Sequence, residues 1–225
     1  MYKYELHAHT SECDLVARLS GAQLVRAYAE QGYSGIVITD HYFSIFFDWF
    51  GKELEGATHR QIMDRWLRGF DSARNEGEKI GFTVLPGAEV RIDGTINDYL
   101  VYGLEVEDLY RLPLLNRMSS IDEVLDILPD YTCVVHAHPF RNSMTVRDPS
   151  RLFGIEVHNG GTEPFRNVLA QTWAEHYGKA MTSGSDFHGK NALARGGIIT
   201  PAPIQTPQDL IQTLRSGNYE TIHTY

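Results

Sequence analysis

Short apolar runs alternate with longer amphipathic stretches along the whole of this 225-residue chain, and five of the apolar runs end on a histidine, aspartate or glutamate. "KYELHAHT", "GIVITDH", "FTVLPGAEV", "DYLVYGLE", "TCVVHAHPF", "GIEVHNG", "AMTSGSDFHG" and "GGIIT" read as strands. Between them, "SGAQLVRAYAEQGYSG", residues 57–80, "SIDEVLDIL", "EPFRNVLAQTWAEHYG" and "TPQDLIQTLRSG" read as helices. Ser20 and Thr206 are set to cap two of these, and Gly32 and Gly217 to end them. The aromatic run "YFSIFFDWFGKEL" reads as a loop leaning towards the role of a pocket wall. Such alternation implies parallel strands joined by crossover helices, in one domain spanning 1–225. His9, His41, Glu89, His138 and Asp186 fall at the C-terminal ends of strands, the end where a parallel barrel builds its active site.

The polar residues at these ends are of metal-ligating type. His7 and His9 are two apart, so on a strand both imidazoles face one way. By itself such a pair is more often a surface or packed pair. "ITDH" adds Asp40 and His41, with Asp40 either a ligand, a helix cap or an acceptor that orients a histidine. "PGAEV" adds Glu89, "VVHAHPF" adds His136 and His138, and "TSGSDFHG" adds Asp186 and His188. Counting Asp14, eight candidate ligands emerge: His7, His9, Asp14, His41, Glu89, His138, Asp186 and His188. One ion needs four to six donors at most, so two or three ions sharing bridging groups are expected. Imidazole and carboxylate without thiolate suit zinc, manganese or iron. A cluster of that kind activates water and clamps the oxygens of an in-line displacement, as phosphoester hydrolysis requires.

Composition narrows the partners. A formal net charge of −9 argues against a broad nucleic-acid footprint. It leaves room for a small phosphorylated substrate, because bound cations invert the local charge balance. Cys13 and Cys133 are too few for a disulfide framework, which makes the reducing cytoplasm the expected location. No apolar run has the length of a membrane span.

Five motifs in order, "HAH" at 7–9, "TDH" at 39–41, "GAE" at 87–89, "HP" at 138–139 and "SDFH" at 185–188, resemble those of the PHP family, named for polymerase and histidinol phosphatase. The resemblance covers nearly the whole chain. It implies a distorted (β/α)7 TIM-like barrel of the α/β class, with a metal cluster at the C-terminal strand ends. It also implies a metal-dependent phosphoesterase acting on a small phosphomonoester through a metal-bridging hydroxide, with no side-chain nucleophile. Carried over by motif, the first ion takes His7, His9, Glu89 and Asp186. Glu89 bridges to a second, which His138 also binds, and a third uses His41 and His188 with Asp14. Relatives with three ions have a histidine on the strand after Gly-x-Glu. Here that place falls to Asp98, either as a substitute ligand or as the mark of a weak second site.

Arg141 and Arg195 follow metal-bearing strand ends and are the expected phosphate-binding residues, with His158, Glu156 and Asn159 as further pocket residues. Asp40 and His136 are expected behind the ligands, His136 deeper on the face of His138. His59, His176 and His223 read as ordinary helix or surface histidines. The alternatives are an amidohydrolase-type hydrolase, a nuclease or proofreading module of PHP type, and a degenerate metal-binding module without catalysis.

Overall fold

The computed structural model describes residues 1–224, apart from the side chain of Lys190. Its framework is a ring of seven strands. These are β1 (Tyr2–Ala8), β2 (Gly35–Ile38), β4 (Thr83–Arg91), β5 (Asp98–Tyr102), β6 (Cys133–His136), β7 (Gly154–Asn159) and β8 (Ala180–Gly184), paired in that order. A parallel bridge between Ala8 and Phe187 joins the last strand end back to β1. A two-residue strand, β3 (His41–Tyr42), pairs with β4. Outside the ring, β9 (Ile198–Thr200) pairs antiparallel with the first half of β1, and β10 (Glu220–Thr221) with β9.

The ring is the expected TIM-like barrel, but it is not parallel throughout. β5 runs antiparallel to both β4 and β6, because only a short connection, residues 92–97, separates it from β4. Parallel pairing needs a crossover of about a dozen residues or more.

The helices form where the sequence supplies both a stripe and a cap. In α1 (Gly21–Glu30), Ser20 and Gln23 make a reciprocal capping box, and Leu24, Val25 and Tyr28 bury one face. α8 (Pro207–Ser216) starts with Thr206 and Asp209 in the same arrangement and ends at Gly217, whose φ is +68°. Its Leu210, Ile211 and Leu214 pack in a cluster with Tyr4, Leu6, Leu85 and Tyr102 from the strands. α7 (Pro164–Tyr177) lies on β7 and β8, with Ala170 and Ala174 packed against Ile155 and Val157.

Two helical expectations are corrected. Residues 57–80 form two helices, α3 (His59–Trp66) and α4 (Arg68–Ile80), with the break at Leu67. The chain turns there to bring Gly69 against the site loop, where an added Cβ would lie 1.9 Å from Thr10 Oγ1. The aromatic run is mostly helix, α2 (Ser44–Leu54). Its aromatics occupy more than one face, which blurs the 3.6-residue period. Phe46 enters the core, with Phe47 and Phe50 packed on it. Phe43 and Trp49 face the site instead, their rings 4.5 and 6.4 Å from that of His41. Two further helices, α5 (Val106–Arg111) and α6 (Ile121–Ile127), complete the set. Both cysteines are buried and unpaired. Among the described residues no helix is long and apolar enough to cross a membrane.

Candidate metal centre

All eight candidate ligands converge at the C-terminal ends of the ring strands. β1 contributes His7, and His9 follows one residue past its end, their rings 5.1 Å apart. β4 contributes Glu89, which divides its two oxygens between two sides of the cluster. Oε1 lies 3.0 Å from His138 Nε2 and 3.3 Å from His7 Nε2. Oε2 lies 3.1 Å from His41 Nε2 and 3.6 Å from His9 Nε2. Asp186, just past β8, places Oδ1 3.3 Å from both His9 Nε2 and His188 Nδ1. Asp14 reaches in from the loop after β1, with Oδ2 2.8 Å from His188 Nε2 and 3.3 Å from His41 Nδ1.

These side chains fall into four overlapping donor groups. They are His9, Asp14, His41 and His188; His7, His9 and Glu89; His7, His138 and Asp186; and Glu89, Asp98 and His138. The donor set fits cations on a second count. His7 Nε2 and His9 Nε2, both directed at the carboxylates of the cluster, are buried without a hydrogen-bond partner. Orphaned buried polar atoms are costly, and an ion that accepts their lone pairs removes the cost.

The backbone is also bent to the purpose. His138 has φ +28° and Asp186 has φ +51°, in the left-handed region that residues other than glycine seldom adopt. Such strain concentrates where the surrounding structure demands one side-chain direction.

Electrostatics tie the cluster together. Burial alone would raise the carboxyl pKa of Glu89, but His7, His138 and His41 hold it well below the ordinary range. Burial acts likewise on Asp186, and Arg141 and His7 hold it well below its usual value. Burial beside His41 and His188 pushes His9 down to about 3. His188 moves the other way against its burial, up to about 9, because Asp14 and Asp186 face it. His7 moves the same way against its burial, well above its ordinary value, because Glu156, Asp186 and Glu89 face it, and metal binding to such histidines releases protons.

A support layer lies behind the ligands. Glu156 accepts from His7 Nδ1 at 2.8 Å and from the backbone N–H of His138 at 3.0 Å. The first bond fixes the tautomer of His7 so that Nε2 presents its lone pair to the cluster. Glu5, buried in β1, accepts from the backbone N–H of His7 and of Ser185 and from the Ser185 hydroxyl. Ser185 Oγ in turn accepts from the N–H groups of Arg195 and Gly196. The sequence reading placed Glu156 in the substrate pocket and did not single out Glu5. A carboxylate two residues before the first histidine on the same strand face was the available signal for Glu5.

Two supports are placed differently from expectation. Asp40 does not orient a histidine: it accepts from the backbone N–H and hydroxyl of Thr10, clamping the turn that follows His9. His136 lies outside the cluster. It pairs in register with Tyr99, and their rings stack at 5.1 Å. Tyr99 points opposite to its neighbour Asp98, so His136 faces away from the cluster as well. The turn at His138 breaks the alternation that would have set the two histidines on one side.

A cavity of about 800 Å³ opens beside the cluster, lined by Arg18, Arg141, Arg195, Gly161, Asp186 and His188 among others. Arg141 reaches Asp186 Oδ2 and Asn159 Oδ1. Arg18, which sequence reading did not single out, enters from the loop after Asp14, its backbone N–H donating to the carbonyl of His188 at 3.0 Å. His158 is not among the cavity residues. It lies behind the wall, its Nε2 2.9 Å from the carbonyl of Arg195 and its ring stacked on His223. Asp98 stands at the edge of the cluster, Oδ2 3.7 Å from His138 Nε2, and Arg91 grips both its oxygens.

Comparison with known proteins bears on this arrangement. Residues 164–219 match the PHP-associated family. Among solved structures, a two-domain protein from Bacteroides vulgatus containing a predicted PHP-like metal-dependent phosphoesterase superimposes over 99% of this chain and 65% of its own, with TM-score 0.65 and 16% identity. The chain shares the fold of this PHP-like protein. PsfC from Pseudomonas syringae shares the fold over 99% of this chain and 91% of its own, with TM-score 0.68 and 18% identity. An amidohydrolase from Chromobacterium violaceum, with bound sulfate and no metal, does so over 96% and 97%, with TM-score 0.60 and 15% identity. No curated protein matches the chain.

Proposed function

We propose that this chain is a metal-dependent phosphoesterase that hydrolyses a small phosphomonoester. The observation that carries the reading is the joining of two features at one rim: a buried His/Asp/Glu cluster with orphaned donor atoms, and an adjoining cavity with three arginines. His7, His9, Glu89 and Asp186 would hold one ion, with Glu89 shared towards His138. His41, His188 and Asp14 would hold another. Bound ions of this kind lower the pKa of water towards about 7 and neutralise phosphoryl oxygens.

The chain's own groups do the rest. Arg141 and Arg195 bind the phosphoryl oxygens, and Arg18 adds a third guanidinium to the wall. Glu156 holds the His7 ring in one tautomer and ties it to the His138 backbone. Asp40 holds the turn after His9. The cavity volume suits a small molecule, and the formal charge of −9 disfavours a nucleic-acid polymer.

An amidohydrolase-type hydrolase is the second reading, favoured by the likeness to the Chromobacterium violaceum protein. Three arginines in the cavity suit a phosphoryl group better than a neutral amide. The test is elemental analysis of the purified protein together with hydrolysis of p-nitrophenyl phosphate under added manganese or zinc. Bound ions with metal-dependent turnover are expected. A chain that takes up no ion under any loading would overturn the reading.

A further inference from the structure

We propose that the Arg91–Asp98 ion pair takes the place of one ion, so that the centre binds two metals and not three. The inference rests on the metal-dependent reading above and concerns how many ions that site admits.

Glu89 and Arg91 are two apart on β4 and share a face, so the arginine head enters the same corner as the bridging carboxylate. In the antiparallel register of β4 and β5, Arg91 stands directly opposite Asp98. The guanidinium donates from Nε to Asp98 Oδ1 at 2.5 Å and from Nη2 to Oδ2 at 2.7 Å. Both carboxylate oxygens are therefore engaged by one fork. Behind it, the Phe43 ring lies 4.4 Å from the guanidinium carbon and fixes its position.

The corner of Glu89, Asp98 and His138 has the spacing of a donor group. It already contains a fixed positive charge. A divalent ion entering there would meet that charge beside the buried Asp98 and would compete with a bidentate partner for the carboxylate. Asp186 gives the contrast. Arg141 engages its Oδ2 alone, and Oδ1 remains directed at His7, His9 and His188. Asp186 keeps one oxygen free of any arginine, whereas both oxygens of Asp98 are held by Arg91. The two differ also in surroundings: Arg141 lines the cavity and Arg91 does not.

The test is a metal count per chain on manganese-loaded, desalted protein, with thermal melting as a check that each variant folds. The wild type is expected to hold two ions. Asp98→Ala should still hold two, because no ion depends on that carboxylate. Arg91→Lys, which keeps the charge, should hold two as well. The double change Arg91→Met with Asp98→His removes the cation and supplies a ring nitrogen, and should hold three. Three ions in the wild type, falling to two in Asp98→Ala, would overturn the proposal while leaving the metal-dependent reading intact. A folded double variant that stays at the wild-type count would also overturn it. A wild type without any ion overturns the metal-dependent reading itself, and the proposal with it.

Discussion

The two His-x-His motifs of this chain have the same spacing and different fates. His7 lies in β1 and His9 one residue past its end, and because the backbone takes no positive φ at His9 both rings face the cluster. In β6, the strand ends at His136, and the positive φ of His138 turns the second ring towards Glu89 while the first stacks on Tyr99. A spacing of two therefore reports a shared face only where the backbone does not turn to positive φ at the second residue. The consequence reaches the supports too. Glu156 serves both motifs, through the side chain of His7 and through the backbone of His138, and nothing in the hydrogen bonding serves His136.

That contrast can be broken in graded ways. The largest effect is expected from His9→Ala, which should lose bound metal and lower hydrolysis by about 10³-fold or more. Full turnover in that variant would sink the assignment of β1 to the centre. Glu156→Gln keeps the shape and removes the acceptor's charge. A fall of about 10- to 100-fold in metal affinity is expected by titration, without unfolding. An unchanged affinity would mean that the support of His7 is not electrostatic.

Gly184→Ala tests the packing behind His7, where an added Cβ would come within 2.2 Å of the His7 Cβ. A loss of about 1–3 kcal/mol in denaturant unfolding, accompanied by weaker metal binding, is the expected result. His136→Phe should have the smallest effect, with metal content and turnover at wild-type levels. Burial, aided by His138 and Arg147, depresses His136 to about 3. Its contribution to stability is thus present above the unfolded pKa of about 6.5 and is lost as the pH falls towards 3. The phenylalanine variant should show a shallower loss of stability across that window. A collapse of activity in it would place His136 in the centre after all.

Much of the site was legible because its residues end strands. His9, His41, Glu89 and Asp186 follow apolar runs whose type and direction the sequence makes plain. Less was legible where partners come from distant elements. Glu156 looked like a cavity residue because nothing local shows that its carboxylate turns towards β1. Arg91 attracted no notice because its partner depends on the antiparallel register of β5, which apolar runs do not reveal. The α2 helix was hidden by aromatics on several faces, and the break at Leu67 by the need of Gly69 to meet Thr10.

The bridge between Ala8 and Phe187 has a mechanical meaning. At this seam the wall is held by few backbone bonds, His9 N–H to Phe187 O at 3.3 Å and Phe187 N–H to His7 O at 3.4 Å, with Glu5 linking the strands below. His7 and His9 lie on one side of the seam, Asp186 and His188 on the other. An ion held by both sides would act as a rivet through this sparsely bonded joint of the barrel wall. Loading should therefore be felt as slowed amide exchange at His9 and Phe187, and chelation as a loosening that starts there and spreads outward.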